Sequence, residues 1–190
     1  MNTHTLLSVF LASVLLALEG CNKSEETVVN PPSDSNLIVN GSFEAHGVPS
    51  LEGWTRAADD TSFINFSTDV PAGGGSFSVR LKNEWTFPGT ISYNVVTRAG
   101  THRYRLSAWA KAIRLGLFAG GEMAILVKTP EGLAFRKQLH FSDSNWISGS
   151  LLDTMTTVSP DTVVIMLRGN IDQWSYGYVL FDLCRFERLE

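Results

Sequence analysis

From residue 36 onward, hydrophobic and polar residues alternate in short stretches, as they do in strands with one buried face. Phe77–Lys82 and Tyr104–Ala108 alternate with a period of two. Met123–Val127 is a short continuous apolar run, which is typical of a strand buried on both faces. Two later stretches, Val163–Leu167 and Val179–Leu183, place apolar side chains at their first, third and fifth positions. The pattern therefore predicts several β-strands, and one apolar face is expected on each of the last two.

Turn-forming residues separate these stretches at short intervals. Glycine, proline, asparagine, aspartate and serine cluster at residues 71–75, 88–89, 99–100, 120–121, 130–132 and 142–145. Many short strands divided by such turns are typical of β-sandwiches and jelly rolls. Ala110–Phe118 could form a short helix, although Gly116 weakens that prediction. We therefore predict an all-β domain over residues 36–190, built as a two-sheet antiparallel sandwich.

The segment before this domain has a different pattern. Leu6–Leu18 is apolar and uncharged, which is too short for a bilayer span of about 20 residues but has the length of a signal-peptide core. It ends in Leu18-Glu19-Gly20-Cys21, which resembles the bacterial lipobox. The resemblance implies a lipoprotein signal peptide over residues 1–20 and acylation of Cys21. An ordinary signal peptide followed by an incidental cysteine is the alternative.

Residues 22–35 are polar, contain two prolines and show no periodicity, so they are predicted to form a flexible tether. The acidic stretch after Cys21 also resembles the signal that sends lipoproteins to the cell surface in some Gram-negative bacteria. We expect a lipid-anchored protein of the bacterial cell envelope that lies in the outer membrane. Exposure at the cell surface is a further option. The lipid would be its only contact with the membrane, because no second long apolar run exists.

Charge and cysteine content exclude several function classes. The net charge is −4, which argues against a nucleic-acid-binding protein, since those carry clustered basic residues. Cys184 would have no partner if Cys21 is acylated, and its apolar surroundings predict a buried, unreactive thiol. The histidines show no metal-binding spacing, and the acids Asp60, Glu84, Glu122 and Glu131 show no glycosidase pairing, so each acid is interpreted as a solvated surface residue.

Several segments together resemble carbohydrate-binding modules of families 4, 9 and 22. The first is Asn36–Glu44 (NLIVNGSFE), followed by Gly53-Trp54. The others are Gly75–Leu81 (GSFSVRL), Arg103–Lys111 (RYRLSAWAK) and Tyr178–Phe186 (YVLFDLCRF), and they occur in the order of those families. The resemblance implies a galactose-binding-like jelly roll. It says less about sugar binding, because one fold serves many functions.

Aromatic residues are the first candidates for a sugar site, because the apolar face of a pyranose stacks on a flat ring. The family resemblance suggests Trp85 as a ligand-stacking residue, and Trp174 and Tyr176 lie in a predicted loop. Trp109 is predicted to lie on the strand face opposite to its apolar neighbours, where it could either face a ligand or cover a sheet. Trp54 and Trp146 stand where the families use structural tryptophans, so we predict that both belong to the core.

The resemblance also implies a structural Ca²⁺ between the first and last strands. By position, the carboxylates of Glu44 and Asp182 and the carbonyl of Ser42 would be ligands, with a further carbonyl from residues 73–76. The alternative is that the two acids bind turn amides without a metal. Oxygen ligands of this kind suit Ca²⁺.

Two functions of different classes follow from these residues. The first is a non-catalytic carbohydrate-binding lipoprotein that holds or captures a polysaccharide or oligosaccharide at the bacterial envelope. The second is a structural or adaptor jelly roll that docks an envelope protein partner in an outer-membrane assembly. An enzyme is the least favoured of the three possibilities.

Overall fold

The computed structural model consists of strands and turns. It describes residues 36–57, 62–83, 88–115, 120–157, 163–169 and 176–189, with backbone alone for residues 83 and 114. The predicted signal peptide, Cys21, the tether, Trp85 and Trp174 lie outside these residues. No helix occurs in the described ranges, and within them no helical segment long and apolar enough to cross a bilayer is found.

Twelve strands follow one another along the described part of the chain. They are β1 (Glu44–Ala45), β2 (Val48–Pro49), β3 (Trp54–Arg56), β4 (Ile64–Ser67), β5 (Ser78–Asn83), β6 (Thr90–Val95), β7 (Gly100–Arg114), β8 (Gly121–Thr129), β9 (Gly132–Phe141), β10 (Ile147–Thr157), β11 (Val163–Gly169) and β12 (Gly177–Arg188). Strand β7 continues to Arg114, so the short helix considered for Ala110–Phe118 is wrong over Ala110–Arg114. The reason is that Ala110, Ala112 and Arg114 complete pairs with β12.

Ten of these strands form two antiparallel five-stranded sheets. The first, here called the β7 sheet, has the order β10-β7-β12-β5-β4, and the second, the β8 sheet, has the order β3-β6-β11-β8-β9. Strands β1 and β2 form a separate hairpin. The described chain is therefore the two-sheet, all-β jelly-roll sandwich that the sequence predicts.

The hydrophobic core lies between the inner faces of the two sheets. It is made of alternate residues of each strand, including Leu106 and Phe181 from the β7 sheet and Met123 and Ile165 from the β8 sheet, all fully buried. Full burial of one such side chain stabilises the fold by ~1.5–3 kcal/mol. The rings of Phe141 and Phe181 meet edge to face, with centroids 5.7 Å apart.

A β-bulge interrupts the last strand and corrects one expectation. Asp182 pairs with Trp109 and Arg185 with Ser107, so β12 holds one residue more than β7 over this stretch. Leu183 lies in the bulge at φ 49°, and it does not share the buried face of Val179 and Phe181. The prediction of one face for these three residues is therefore wrong for Leu183, because the extra residue shifts the alternation and Cys184 takes the inward position.

Candidate functional site

The opening segment of the domain turns sharply toward the bulge of β12. Cys184 donates its backbone N–H to the carbonyl oxygen of Gly41 over 2.8 Å. A Cβ at position 41 would lie 1.8 Å from the Cys184 carbonyl oxygen, so glycine alone fits there. Asn40 fixes the next turn, since its Oδ1 accepts from Glu44 N at 3.0 Å and its Nδ2 donates to Ser50 O at 3.1 Å. These contacts explain how NLIVNGSFE brings Glu44 beside the last strand.

Glu44 is held by a glycine turn, defined here as residues 71–76. Its Oε1 accepts from the backbone N–H of Ser76 and from that of Phe77, the latter at 2.5 Å. A Cβ at Gly75 would lie 2.2 Å from Glu44 Oε1. The turn is closed by a bond of 2.9 Å from Gly74 N to Pro71 O. Glycine at position 75 therefore lets the backbone approach the carboxylate more closely than any other residue type would.

Asp182 is the second carboxylate at this turn. Its side chain is fully buried; Oδ1 accepts from Leu183 N at 2.7 Å, whereas Oδ2 has no hydrogen-bond partner. Burial raises the pKa of Asp182 to about 6, the hydrogen bond from Leu183 opposes the rise, and the charge of nearby Glu44 adds to it. A Cβ at Gly74 would lie 2.5 Å from Asp182 Oδ2. The pair formed by Glu44 and Asp182, here called the acid pair, thus shares one glycine turn.

The acid pair fits a hard cation better than a transition metal. No group of three or more histidine, cysteine, aspartate or glutamate side chains able to hold a metal occurs in the described part of the chain. The acid pair offers carboxylate oxygens, which are the hard ligands that Ca²⁺ prefers. The buried, unpartnered Oδ2 of Asp182 is an unsatisfied acceptor that a cation would satisfy. Ser42, the third predicted ligand, lies between Gly41 and Phe43 in the same segment.

Trp109 lies next to the acid pair on the outer face of the β7 sheet. It pairs with Asp182 on one side and with Ser148 on the other, and its side chain is half-buried. A cavity of about 260 Å³ opens at its ring, here called the Trp109 pocket; it is lined by Gly73, Ser107, Ala108, Trp109, Ser148, Leu183 and Arg185. The pocket combines one aromatic surface with two hydroxyl groups and one guanidinium group, which is a composition that suits a polar ring.

Of the four aromatic residues predicted for the sugar site, Trp109 and Tyr176 lie in the described ranges. Tyr176 is 53% exposed and its carbonyl oxygen accepts from Leu115 N at 2.9 Å. Tyr176 lies six positions before Asp182, the partner of Trp109, which corresponds to about 20 Å of strand. The structure therefore does not bring these two aromatic residues into one pocket.

The two tryptophans predicted to be structural both use their indole N–H within the fold. Trp54 is 7% exposed and donates to Asn40 O at 2.8 Å, so its assignment to the core is confirmed. Trp146 is half-buried and donates to Asp69 Oδ1 at 2.8 Å. It covers the outer face of the β7 sheet rather than the space between the sheets, so the core assignment is wrong for Trp146.

The outer face of the β8 sheet carries an ion cluster that the sequence analysis missed. Glu122 is 1% exposed; Arg168 Nη2 donates to its Oε2 at 3.0 Å, and Arg168 Nε makes an ion-pair contact with Oε1 at 2.9 Å without hydrogen-bond geometry. Glu122 was interpreted as a solvated acid, which is wrong because its register partners are Arg168 and His140. The guanidinium of Arg168 also lies over the Phe135 ring, 5.5 Å from its centroid. Sequence offered no signal for this cluster, since its members come from three strands.

A second cavity adjoins the ion cluster at His140. It has a volume of about 480 Å³ and is lined by His140, Ser142, Asp143, Ser144 and Ile147. Among the described residues that line it, the histidine ring is the one aromatic group. His140 Nε2 lies 3.5 Å from Glu122 Oε2. It therefore provides a polar comparison site on the same molecule.

The fold, set against known proteins, is similar to several carbohydrate-binding modules. The sequence matches no protein-family profile and no curated protein. A family 16 carbohydrate-binding module is 18% identical, with a TM-score of 0.56, over 80% of this chain and 99% of that one. The CBM61 module TmCBM61, solved with β-1,4-galactotriose, is 15% identical, with a TM-score of 0.53, over 80% and 98%. The CBM22-1 xylan-binding domain of Paenibacillus barcinonensis Xyn10C is 13% identical, with a TM-score of 0.55, over 82% and 95%.

Structures of enzymes share the fold as well. The chain matches 21% of the length of the enzymatically active domain of tailspike protein 4 from bacteriophage CBA120, at 15% identity and a TM-score of 0.58. A Stig cyclase from Fischerella sp. TAU is 16% identical over 96% of its length, with a TM-score of 0.60. At these identities the likeness establishes a jelly-roll sandwich and leaves the activity to be argued from the site.

Proposed function

We propose that this protein is a non-catalytic carbohydrate-binding lipoprotein that holds a polysaccharide or oligosaccharide at the bacterial envelope. The observation that carries the proposal is the half-buried ring of Trp109 on the wall of a polar pocket. A sugar covering about half of a tryptophan side chain gains ~2–3 kcal/mol from burial. Hydroxyl groups such as those of Ser107 and Ser148 then select the sugar by hydrogen bonding.

The environment of the buried acids supports a binding role rather than hydrolysis. A glycosidase needs two carboxyl groups that face each other across the scissile bond. Asp153 and Glu187 are paired with Arg136 and Arg105, respectively, and Glu122 is paired with Arg168. The acid pair is covered by its glycine turn, and Asp182 is fully buried. None of these carboxylates is placed to attack a bound sugar.

We further propose that the acid pair holds a structural Ca²⁺, with Glu44, Asp182 and the Ser42 carbonyl among its ligands. A bound ion would neutralise two adjacent carboxylates and join the opening segment of the domain to β12. The orientation of both carboxylates supports this proposal. The amides of Ser76 and Phe77 orient Glu44, and the amide of Leu183 orients Asp182.

The membrane anchor is proposed from the sequence alone. Acylation of Cys21 would tie the chain to the envelope, and residues 22–35 would separate the domain from the lipid surface. The anchor is tested by extracting membranes with a phase-separating detergent, from cells that produce the protein or its Cys21→Ser variant. The wild-type protein is expected in the detergent phase, and the variant in the aqueous phase; equal partitioning would contradict acylation.

Carbohydrate binding is tested on a glycan array with the purified full chain. Trp109→Ala, Trp85→Ala, Trp174→Ala and Tyr176→Ala are compared with the wild-type protein, and Trp54→Phe serves as a folding control that leaves the surface unchanged. Loss of binding in one of the first four variants, with the melting temperature preserved, supports the proposal and locates the site. An array without signal at high protein concentration contradicts it and favours a protein-docking domain instead.

A further inference from the structure

The Trp109 pocket and the acid pair share three structural elements. Gly73 belongs to the turn that Glu44 holds through the amides of Ser76 and Phe77, and it also lines the pocket. Leu183 lines the pocket and donates its N–H to Asp182 Oδ1. Trp109 is the direct register partner of Asp182. A change in the position or charge of the acid pair therefore reaches three residues of the pocket wall.

Arg185 is the charged side chain among the described residues that line the pocket. Its side chain is 53% exposed, and its contact with Glu187 spans 4.0 Å. Glu187 is bound more closely by Arg105, whose Nη2 and Nε donate to it over 2.7 and 3.1 Å. Arg185 is therefore available to a ligand. A guanidinium group beside an aromatic ring recognises a carboxylate by charge-assisted hydrogen bonds.

The acid pair opposes such a ligand unless its charge is neutralised. Two carboxylates next to the pocket repel a third that enters it, and the repulsion is strong because Asp182 is shielded from solvent. A divalent cation between Glu44 and Asp182 removes that repulsion. It also fixes the positions of Gly73 and Leu183, so that less conformational freedom is lost when the ligand binds.

We propose that the Trp109 pocket binds a sugar residue bearing a carboxylate group, and that a cation held by Glu44 and Asp182 strengthens this binding. Trp109 supplies the stacking surface, Arg185 the counter-charge, and Ser107 and Ser148 the hydroxyl partners. The pocket, at about 260 Å³, is of a size for one sugar ring at the end of a chain. This inference rests on the proposed carbohydrate-binding function and adds to it the ligand class and its regulation.

The test uses two trimers of the same α-1,4 linkage, trigalacturonate and neutral galactotriose, titrated calorimetrically into the full chain with calcium or with a chelator. The acidic trimer is expected to bind about tenfold more tightly with calcium. Arg185→Gln, an exposed substitution, should weaken the acidic trimer about tenfold and the neutral trimer much less, because only the acidic trimer loses a charge-assisted hydrogen bond. His140→Ala, at the other cavity, should change neither.

Glu44→Gln separates a cation on the protein from one carried by the ligand. In this variant calcium should no longer raise the affinity for the acidic trimer, although the trimer and the calcium concentration are the same. A gain that persists overturns the inference, because the ion then acts through the sugar. Equal affinity for both trimers, or an acidic trimer unaffected by Arg185→Gln, also overturns it.

Cation binding has a readout that needs no sugar. Terbium, which takes the oxygen ligands of calcium, luminesces when a nearby tryptophan transfers energy to it. Trp109 is the cross-strand neighbour of Asp182, at a Cα separation of about 4.5–5.5 Å, so terbium luminescence should fall strongly in Trp109→Phe. Luminescence unchanged in Trp109→Phe would overturn the shared geometry. A protein that binds sugars elsewhere, with full affinity in chelator, refutes this inference alone, whereas one that binds none refutes the proposed function.

Discussion

Trp146 donates its indole N–H to Asp69 Oδ1 over 2.8 Å, although 77 residues separate the two along the chain. The other carboxylate oxygen of Asp69 accepts from Lys111 Nζ at 2.6 Å. Asp69 therefore ties the segment before the glycine turn to β7 and to the start of β10. Burial would raise the pKa of Asp69, but the hydrogen bonds from Lys111 and Trp146 outweigh it and hold the pKa below its ordinary value.

This arrangement predicts a pH-dependent contribution to stability. Asp69→Asn is expected to lower the free energy of unfolding by about 1–2 kcal/mol near neutral pH, because the amide has one acceptor oxygen where the carboxylate has two, so either Lys111 or Trp146 loses its acceptor. The folded pKa lies below the ordinary carboxyl value of 3.8, so the contribution is complete above that value and disappears as the pH falls through the folded pKa. Urea unfolding of wild-type and variant proteins at about pH 7 and about pH 2.5 measures the difference.

The control for this experiment is Glu131→Gln, an exposed acid in the β8–β9 turn. It should change stability by less than about 0.5 kcal/mol at either pH. If Asp69→Asn loses as much stability in acid as at neutral pH, the carboxylate acts through its shape rather than its charge, and the prediction is wrong.

The glycine turn gives a second prediction that separates steric from backbone effects. A Cβ at Gly75 meets Glu44 Oε1, whereas a Cβ at Gly73 meets no atom within 4 Å and is disfavoured only by its φ of +80°. Gly75→Ala should therefore displace the Glu44 carboxylate and abolish any rise in melting temperature on adding calcium. Gly73→Ala should lower the free energy of unfolding by about 1–2 kcal/mol, because alanine is disfavoured in the left-handed backbone conformation, but it should keep the calcium response.

Thermal melts of the two variants, each with calcium and with chelator, give the comparison. Both substitutions add one methyl group in the same turn, so they form a matched pair. A calcium response that is retained in Gly75→Ala, or lost equally in both variants, would argue against a cation site at Glu44. A wild-type protein whose melting temperature ignores calcium would argue against the ion itself.

The fold could be predicted because its information is local. Alternation in Phe77–Lys82 and Tyr104–Ala108 sets which residues face the core, and each turn cluster ends a strand whatever its partner is. The bulge at Leu183 could not be predicted in this way. It depends on how β12 pairs with Ser107 and Trp109, which are more than 70 residues away, and a single extra residue reverses every side chain after it.

The candidate site was predictable where strand alternation (Trp109) or the family resemblance (Glu44 and Asp182) supplied the positions. Glu44 and Asp182 were expected together and lie at one glycine turn, whereas the ion cluster of Glu122 and Arg168 was missed. Those two residues are 46 apart in sequence, and only the register of β8 with β11 opposes them. The sequence does not show which residue lies opposite a charged residue in an apolar strand. A buried ion pair and a solvated acid therefore cannot be distinguished from the sequence.

Cys184 provides a prediction about chemical reactivity. Its side chain is 1% exposed, and burial raises the pKa of its thiol, so the reactive thiolate is disfavoured at neutral pH. In the Cys21→Ser variant, where Cys184 is the one remaining thiol, we expect no reaction with a thiol reagent in the folded protein and complete reaction in denaturant. Ser144→Cys places a thiol on the exposed β9–β10 turn and should react at once in the folded state. Rapid native labelling of the Cys184 thiol would mean that the bulge opens readily.

The ion cluster on the β8 sheet predicts strong coupling between two substitutions. Glu122→Gln or Arg168→Met alone should destabilise the protein by about 2–4 kcal/mol, because each leaves a largely buried charge without its partner. The double variant should recover at least about 1 kcal/mol of the summed loss, since apolar and neutral groups need no ion pair. Chemical unfolding of the four proteins measures this coupling energy, with Arg185→Gln as the exposed-arginine control that should lose less than about 0.5 kcal/mol. Additive single losses would mean that Arg168 stabilises the sheet through its contact with Phe135 instead, because that contact survives in Glu122→Gln and is lost in both proteins that lack Arg168.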